Sequence, residues 1–100
     1  VRLCADKRIA ITPQGGNTGL VGGQIAMNGE VIVSMRRMRR VRDVFPLDNT
    51  LVADAGVTLA DAQRAAAEVD RLFPLSIGSE GSGQIGGVIS TNAGGVNVIR

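Results

Sequence analysis

The chain contains no histidine, tryptophan or tyrosine, and only one cysteine, Cys4. A structural zinc site takes four cysteine or histidine ligands, so this chain cannot build one alone, and we predict no metal. Nucleophiles activated by histidine are excluded for the same reason. The lone cysteine cannot form an internal disulfide, which fits a reducing compartment. The only lysine, Lys7, lies outside any Gly-Lys-Ser/Thr sequence, so a Walker A loop is excluded too.

Aromatic residues are also scarce, whereas arginine is concentrated in one place. Phe45 and Phe73 are the only aromatics, and five arginines lie between Arg36 and Arg42. Such a basic cluster can bind nucleic acid, but two phenylalanines give no stacking platform for single strands, and no helix-turn-helix or zinc-finger pattern accompanies it. We interpret it as a solvated segment beside a sheet and predict no nucleic-acid partner. A non-catalytic anion- or nucleic-acid-binding module using this cluster is the alternative.

No apolar run approaches the roughly 20 residues that a membrane-spanning helix needs, and no signal peptide is visible. The chain begins at Val1, in what reads as the end of a helix, and stops at Val98-Ile99-Arg100 without a natural close. We therefore expect residues 1–100 to be part of one domain of a longer protein whose substrate domain lies elsewhere. We expect that protein to be cytoplasmic, or peripheral to the inner face of a membrane.

Glycine, by contrast, is abundant, with 14 residues gathered mainly in two stretches. The first, residues 12–23, follows the apolar run Ile9-Ala10-Ile11, which reads as a strand. Glycine lets backbone approach a ligand closely, and successive N–H groups in such a loop can form a nest for an anion, most often a phosphate. Asn17 and Thr18 add side chains that could donate to phosphate oxygens. A wide surface loop without a ligand is the alternative.

The second stretch, residues 78–95, contains a match to the G-x-G-x-x-G pattern over residues 81–86. A dinucleotide-binding Rossmann site also needs a strand before the pattern and a long helix after it, and neither is visible. We predict instead a short helix over residues 82–93 with Ser82 near its N-cap, whose positive end favours an anion. Two such stretches suit an extended ligand with a pyrophosphate and a ring system.

Hydrophobic periodicity and turn signals predict short helices and strands along the chain. The helix after Thr58 is the clearest, because Thr58 and Asp61 form a capping pattern. The first predicted elements are a helix ending near Lys7, a strand over residues 8–12 ended by Pro13, a turn at Asn28-Gly29 and a buried strand over residues 30–34. An irregular connector follows, with the side chains of Met35, Met38 and Val41 directed inward. The last are a hairpin of residues 41–45 and 50–55 and a helix over residues 59–69, with Leu59, Ala62, Ala66 and Val69 on one stripe.

The two glycine stretches together carry a resemblance. Pro13-Gln14-Gly15-Gly16-Asn17-Thr18-Gly19-Leu20-Val21-Gly22-Gly23, paired with Gly81-Ser82-Gly83-Gln84-Ile85-Gly86-Gly87-Val88-Ile89-Ser90-Thr91-Asn92-Ala93-Gly94-Gly95, resembles the FAD-binding domain of the vanillyl-alcohol-oxidase type of flavoprotein. Within that group the chain is most similar to the branch of D-lactate dehydrogenases, glycolate oxidase subunits and D-2-hydroxyglutarate dehydrogenases. The resemblance covers nearly all of residues 1–100. It implies an α+β, PCMH-type domain of two small sub-domains with FAD between them, here incomplete.

The resemblance also implies the cofactor-binding residues. Residues 14–20 would wrap the FAD pyrophosphate with backbone N–H groups. Residues 78, 79, 81 and 82 would continue the contacts, and residues 85–87 with residues 90–95 would line the flavin side. The candidate set is Pro13, Gln14, Gly15, Gly16, Asn17, Thr18, Gly19, Leu20, Gly78, Ser79, Gly81, Ser82, Ile85, Gly86, Gly87, Ser90, Thr91, Asn92, Ala93, Gly94 and Gly95. Related proteins with covalent flavin often attach it through histidine, so FAD should be non-covalent here. Related chains often carry cysteine at the position of Gly83, a departure that touches no required polar group.

The activity implied is hydride transfer from Cα of a D-2-hydroxy acid to flavin N5, giving a 2-oxo acid, with the protein supplying positioning and electrostatics. Catalytic residues are unknown: Glu80 is the only acid near the presumed cofactor, and the substrate arginines are expected elsewhere. Expected partners are the hydroxy acid and an undetermined electron acceptor (quinone, cytochrome, electron-transfer flavoprotein or oxygen), with a homodimer of the full-length protein as one assembly. An alcohol oxidase or a reductase of enolpyruvyl sugars, sharing this fold, is the alternative flavoprotein.

Overall fold

A computed structural model describes residues 1–98, so the predicted abrupt end at Ile99 and Arg100 lies outside the described residues. Within these residues, one short helix, four strands and two further helices follow in separate runs, which confirms the α+β class. The elements are α1 (Arg2–Asp6), β1 (Ile11–Gln14), β2 (Val31–Ser34), β3 (Val41–Phe45), β4 (Thr50–Ala53), α2 (Leu59–Ala67), α3 (Ile85–Ser90) and a 3-10 turn (Gly95–Asn97). The helix predicted to end near Lys7 is confirmed as α1.

The strands form two separate pairs: β1 is parallel to β2, and β3 is antiparallel to β4. The prediction that Pro13 ends the first strand is wrong, because Pro13 lies inside β1 opposite Val33. The carbonyls of Ala10 and Gln14 accept hydrogen bonds from the N–H groups of Val31, the first residue of β2, and Met35, the residue after β2. Since such bonds alternate along a strand, the nitrogen of Pro13 faces away from β2, where proline is tolerated.

The prediction that the second strand is buried is also wrong for these residues. Val31 is 42% exposed and Ile32 48% exposed. A parallel pair is buried only when other layers cover its faces, and none of the described helices packs extensively on β1 and β2. The apolar run therefore forms a strand, as predicted, but its side chains lie open.

The hairpin and the helix after it are confirmed and carry the core. Thr58 caps α2 by accepting a hydrogen bond from the Asp61 N–H at 3.1 Å. Three members of the predicted apolar stripe are buried, and they join Val57 between α2 and the hairpin; they are Leu59, Ala62 and Ala66. The helix ends at Ala67 rather than at residue 69, because Asp70 adopts a left-handed φ of +56° that reverses the chain.

Candidate functional site

The first glycine stretch leaves the carboxyl end of β1 as an open loop. Residues 17–21 are exposed, and Asn17 has a left-handed φ of +58°. Across residues 15–20, no backbone N–H donates to a backbone carbonyl of the part of the chain that the structure describes. Consecutive N–H groups with no backbone acceptor, next to a left-handed residue, are what an anion nest requires. These N–H groups have no backbone partner among residues 1–98, and their role in holding an anion stays a prediction.

Two glutamine side chains cross-link this loop by hydrogen bonds to its backbone carbonyls. The Nε2 of Gln14 donates to the carbonyl of Gln24 at 3.0 Å, and the Nε2 of Gln24 donates to the carbonyl of Gly19 at 2.8 Å. The carbonyl of Gln14 accepts from the N–H of Met35 at 2.9 Å, which fixes the start of the loop to the end of β2. Sequence reasoning missed Gln24, since nothing about a glutamine after two glycines indicates a brace.

The two glycine stretches touch each other. A β-carbon built on Gly16 would overlap the carbonyl oxygen of Ser82, and one built on Gly15 would lie 2.9 Å from Oε1 of Gln84. Any side chain at residue 16 would therefore force the stretches apart, because a backbone carbonyl cannot rotate away as a side chain can. The contact places residue 16 of the first stretch directly against residue 82 of the second.

The start of the second stretch is a tight turn with further open donors. The carbonyl of Ser79 accepts from the N–H groups of Ser82 at 3.0 Å and Gly83 at 2.6 Å. Within residues 1–98, the N–H groups of residues 78–81 have no backbone acceptor. β-carbons on Gly78 and Gly81 would meet open space, so neither glycine is required by a neighbouring atom. These positions stay predictions for cofactor contact.

The prediction that Ser82 caps the second-stretch helix is wrong, because α3 begins after Gln84. Gln84 is extended, with φ −100° and ψ 145°, and bridges to Thr58. The N–H of Ile85 donates to the carbonyl of Val57, and the N–H of Gly86 to that of Ala55, both at 2.8 Å. The first N–H groups of α3 are therefore used inside the protein, and an anion would find its donors in the two loops instead.

The carboxyl end of α3 is closed by its own residues. The hydroxyls of Ser90 and Thr91 donate to the carbonyls one turn earlier, at 2.6 Å and 2.9 Å. Asn92 has a left-handed φ of +50°, and the N–H of Ala93 reaches back to the carbonyl of Val88 at 3.0 Å. This is a Schellman ending, in which Asn92 takes the place that glycine usually fills. Three predicted cofactor residues thus have structural roles of their own.

Beyond α3 the chain lines a second feature, an apolar cleft of about 600 Å³. Gly95, with φ +58°, lies so close to the Ser76 carbonyl that any β-carbon would overlap it. The cleft collects part of the predicted flavin side, but none of residues 13–20 lines it. Its lining includes Leu51, Phe73, Leu75, Ile85, Val88, Ile89, Asn92, Ala93 and Gly94. Gly15 and Gly16 of the first stretch face Gln84 and Ser82, while Asn92, Ala93 and Gly94 of the second stretch line this cleft.

The arginine cluster is tied to the fold by Asp54, which sequence reasoning did not single out. The Nε of Arg42 donates to Oδ1 of Asp54 at 2.6 Å, and the backbone N–H of Arg40 donates to Oδ2 at 3.2 Å. The pKa of the buried Asp54 carboxyl lies below its ordinary value, chiefly because of the hydrogen bond from Arg42 and then because of the one from Arg40. Arg36, Arg37 and Arg39 are exposed, as the solvated interpretation predicts.

The connector that carries this cluster is held by its backbone. Met35 and Val41 are half-buried as predicted, but the prediction that Met38 points inward is wrong, since its side chain is 45% exposed. Instead the carbonyl of Met38 accepts from the N–H of Gly56 at 2.8 Å. A β-carbon on Gly56 would overlap the Met35 carbonyl, so the absence of a side chain at residue 56 permits this close approach.

Two kinds of feature are absent from residues 1–98. No group of three or more histidine, cysteine, aspartate or glutamate residues in that range could hold a metal ion. In the same range, none of the helices has the length and apolar character to cross a membrane.

Comparison with known proteins identifies a family and several relatives. The chain is 45% identical to a D-2-hydroxyglutarate–pyruvate transhydrogenase of Saccharomyces cerevisiae, 42% to a D-2-hydroxyglutarate dehydrogenase of Xanthomonas citri and 41% to a mitochondrial D-2-hydroxyglutarate dehydrogenase of Rattus norvegicus. Each match covers 100% of this chain but only 19–21% of the relative, so the chain spans about a fifth of their length. A family model described as FAD binding domain matches residues 1–100. The chain therefore belongs to that family of FAD-binding domains.

Proposed function

We propose that residues 15–20 bind the pyrophosphate of non-covalent FAD, within a longer flavoenzyme that oxidises a D-2-hydroxy acid to a 2-oxo acid. The observation that carries the proposal is the contact of Gly16 with Ser82 beside two runs of N–H groups that lack backbone acceptors. A pyrophosphate offers acceptor oxygens only, so a site of backbone donors without side-chain bulk matches it. Residues 1–100 are then part of the cofactor domain, and the substrate domain lies elsewhere in the protein.

The residues present fit this cofactor in their charge and polarity. The loop of residues 15–20 adds no carboxylate that would repel phosphate, and Glu80 is the only acid in the second stretch. The cleft of about 600 Å³ falls in the usual size range of small-ligand sites and is mostly apolar, which suits a flavin ring. When bound, FAD supplies hydride acceptance at N5, and this chain's residues supply binding and orientation.

The substrate class rests on the relatives, whose names refer to D-2-hydroxyglutarate. We propose a D-2-hydroxy acid for this protein as well, and an electron acceptor among quinone, cytochrome, electron-transfer flavoprotein or oxygen. A homodimer and a cytoplasmic or membrane-peripheral location complete the proposal. Gel filtration and cell fractionation of the full-length protein test these last two points directly.

The test is purification of the full-length protein followed by a substrate panel. We expect a yellow protein that releases its flavin on denaturation, because residues 1–100 contain no histidine for a covalent link. D- and L-2-hydroxy acids are then offered with a dye acceptor, and we expect turnover of a D-acid. A colourless protein that cannot be loaded with FAD contradicts the cofactor assignment. A yellow protein that turns over no D-2-hydroxy acid contradicts only the substrate.

The rival function, a nucleic-acid-binding module, depends on the arginine cluster. The Arg42 guanidinium bonds Asp54, whereas Arg40 bonds it through its backbone N–H and keeps an exposed side chain. Arg36, Arg37, Arg39 and Arg40 are therefore the exposed cations of the cluster. Salt-sensitive nucleic-acid binding that disappears when these four are replaced by glutamine would favour the rival. We expect no such binding.

A further inference from the structure

We propose that Gln84 is a positioning residue for the cofactor loop: its side-chain amide packs against Gly15 and sets where residues 15–20 leave β1. The proposal rests on the proposed function, since the loop it positions is the pyrophosphate nest. It concerns a residue outside the predicted cofactor set, and one that acts through the loop without contacting FAD.

The first observation is the state of the Gln84 amide. Its Oε1 is fully buried and has no hydrogen-bond partner among residues 1–98. A buried carbonyl without a donor is costly, so a hydrogen bond does not explain its location. What it touches is Gly15, where a β-carbon would stand 2.9 Å from Oε1 and 3.5 Å from Cβ and Cδ of Gln84. The glutamine therefore occupies the space that a side chain at residue 15 would need.

The second observation is that the backbone carrying Gln84 is fixed. Gln84 bridges to Thr58, the capping residue of α2, and the N–H groups of Ile85 and Gly86 donate to the segment before Thr58. The amide thus projects from a rigid part of the fold onto a loop with few bonds of its own. Because side chains at a packed contact transmit displacement, the length of Gln84 sets the position of Gly15 and of the first donors of the nest.

The two glycines next to each other face different neighbours, and this difference makes the proposal testable. Gly15 faces the flexible end of a side chain, whereas Gly16 faces the backbone carbonyl of Ser82. A methyl group at residue 15 can be accommodated by shortening residue 84. A methyl group at residue 16 cannot, because no substitution removes a carbonyl.

The experiment is a double-mutant cycle in the full-length protein, with Gly15→Ala, Gln84→Ala and the pair. FAD dissociation constants are measured on reconstituted apoprotein, and thermal unfolding is measured on the same apoproteins. We expect each single change to weaken FAD binding. The double variant should bind FAD at least about threefold more tightly than expected from the sum of the two single-variant effects on the binding free energy. Additive effects, or single variants that bind FAD as the wild type does, would overturn the proposal.

Two controls separate positioning from other roles. Gly16→Ala combined with Gln84→Ala should show no recovery of FAD affinity; recovery there would contradict the assignment of the contact. Gln84→Met keeps the length without the amide, so near-wild-type affinity supports positioning, while a loss as large as that of Gln84→Ala points to direct hydrogen bonding and overturns it. Recovery of thermal stability without recovery of affinity also overturns it. A wild-type protein that takes up no FAD defeats the proposed function before any variant is compared.

Discussion

Gly16 and Ser82 meet backbone to backbone, with no room for a β-carbon between the first loop and the second. The contact joins a loop that leaves β1 to a turn that precedes α3, more than 60 positions later in the chain. It explains why glycine stands at residue 16 without invoking a ligand: the fold itself needs the space. The candidate nest then forms where the two segments converge.

The first prediction follows from this contact. Gly16→Val should push the two loops apart, because the neighbour is a backbone carbonyl, at a cost of about 1–3 kcal/mol in the free energy of unfolding. We expect FAD affinity to fall at least about tenfold, equivalent to about 1.4 kcal/mol. Circular dichroism should show that the helices are retained, since α2 is capped and packed independently. Flavin titration and denaturant unfolding measure the two effects.

Gly23→Val is the matched control for that change. Gly23 lies in the same glycine-rich stretch, but a β-carbon there has nothing within 4 Å. Its stability should stay within about 0.5 kcal/mol of the wild type, with FAD affinity unchanged. If both valine variants lose flavin equally, the loss reflects general stiffening of the loop, and the contact with Ser82 is not its cause.

Gly87→Ala gives a prediction in which stability and binding move in opposite directions. Gly87 is exposed within α3, and a β-carbon there meets no atom within 4 Å. Alanine in place of glycine inside a helix stabilises by about 0.5–1 kcal/mol, so the apoprotein should melt at a higher temperature. If Gly87 lines the flavin as predicted, the same methyl group should weaken FAD binding. Unchanged affinity in the stabilised variant removes Gly87 from the cofactor set.

The sequence predicted the elements whose signals are local. The cap of Thr58 and Asp61, the hairpin and the open first loop are each set by residues within about ten positions, and each is confirmed. The prediction that Pro13 ends the first strand was wrong because the effect of a proline depends on which edge of its strand is hydrogen-bonded. That edge is decided by the pairing with β2, which is distant in the sequence, so no residue near Pro13 indicates it.

The site was predicted in part for the same reason. A run of glycines indicates that backbone must come close to something, but not whether the neighbour is a ligand or another segment. At Gly16, Gly86 and Gly95 the neighbour is the fold itself. Gln84 was not singled out because its partner, Gly15, is far away in the sequence. Asp54 was not singled out because its partner, Arg42, belongs to a cluster interpreted as solvated. Only tertiary contacts distinguish these cases.

Asn92 allows structural and ligand roles to be separated. Its left-handed φ of +50° ends α3, and alanine is strained in that region whereas glycine is not. Asn92→Ala should therefore destabilise the apoprotein by about 1–2 kcal/mol, and Asn92→Gly should leave its stability nearly unchanged. Unfolding of the two apoproteins checks this difference. If Asn92→Gly still loses FAD affinity, the amide contacts the cofactor; if it binds normally, the residue serves only to end the helix.

The buried carboxylate of Asp54 predicts a pH dependence. Its pKa is lowered in the folded protein, chiefly by the hydrogen bond from Arg42. A lowered folded pKa means that the charged form stabilises the fold at pH values above the unfolded pKa of about 4, and that this stabilisation is lost as pH falls through the folded pKa. Asp54→Asn should thus be less stable than the wild type at pH 7. The difference should shrink steadily below about pH 4.

Denaturant unfolding of the full-length apoproteins from pH 7 to pH 3 measures this difference in stability. The control is Asp43→Asn, which removes an exposed carboxylate of the same hairpin. A stability difference that stays constant across this range would show that shape alone, rather than the charge of Asp54, holds the arginine-rich segment in place.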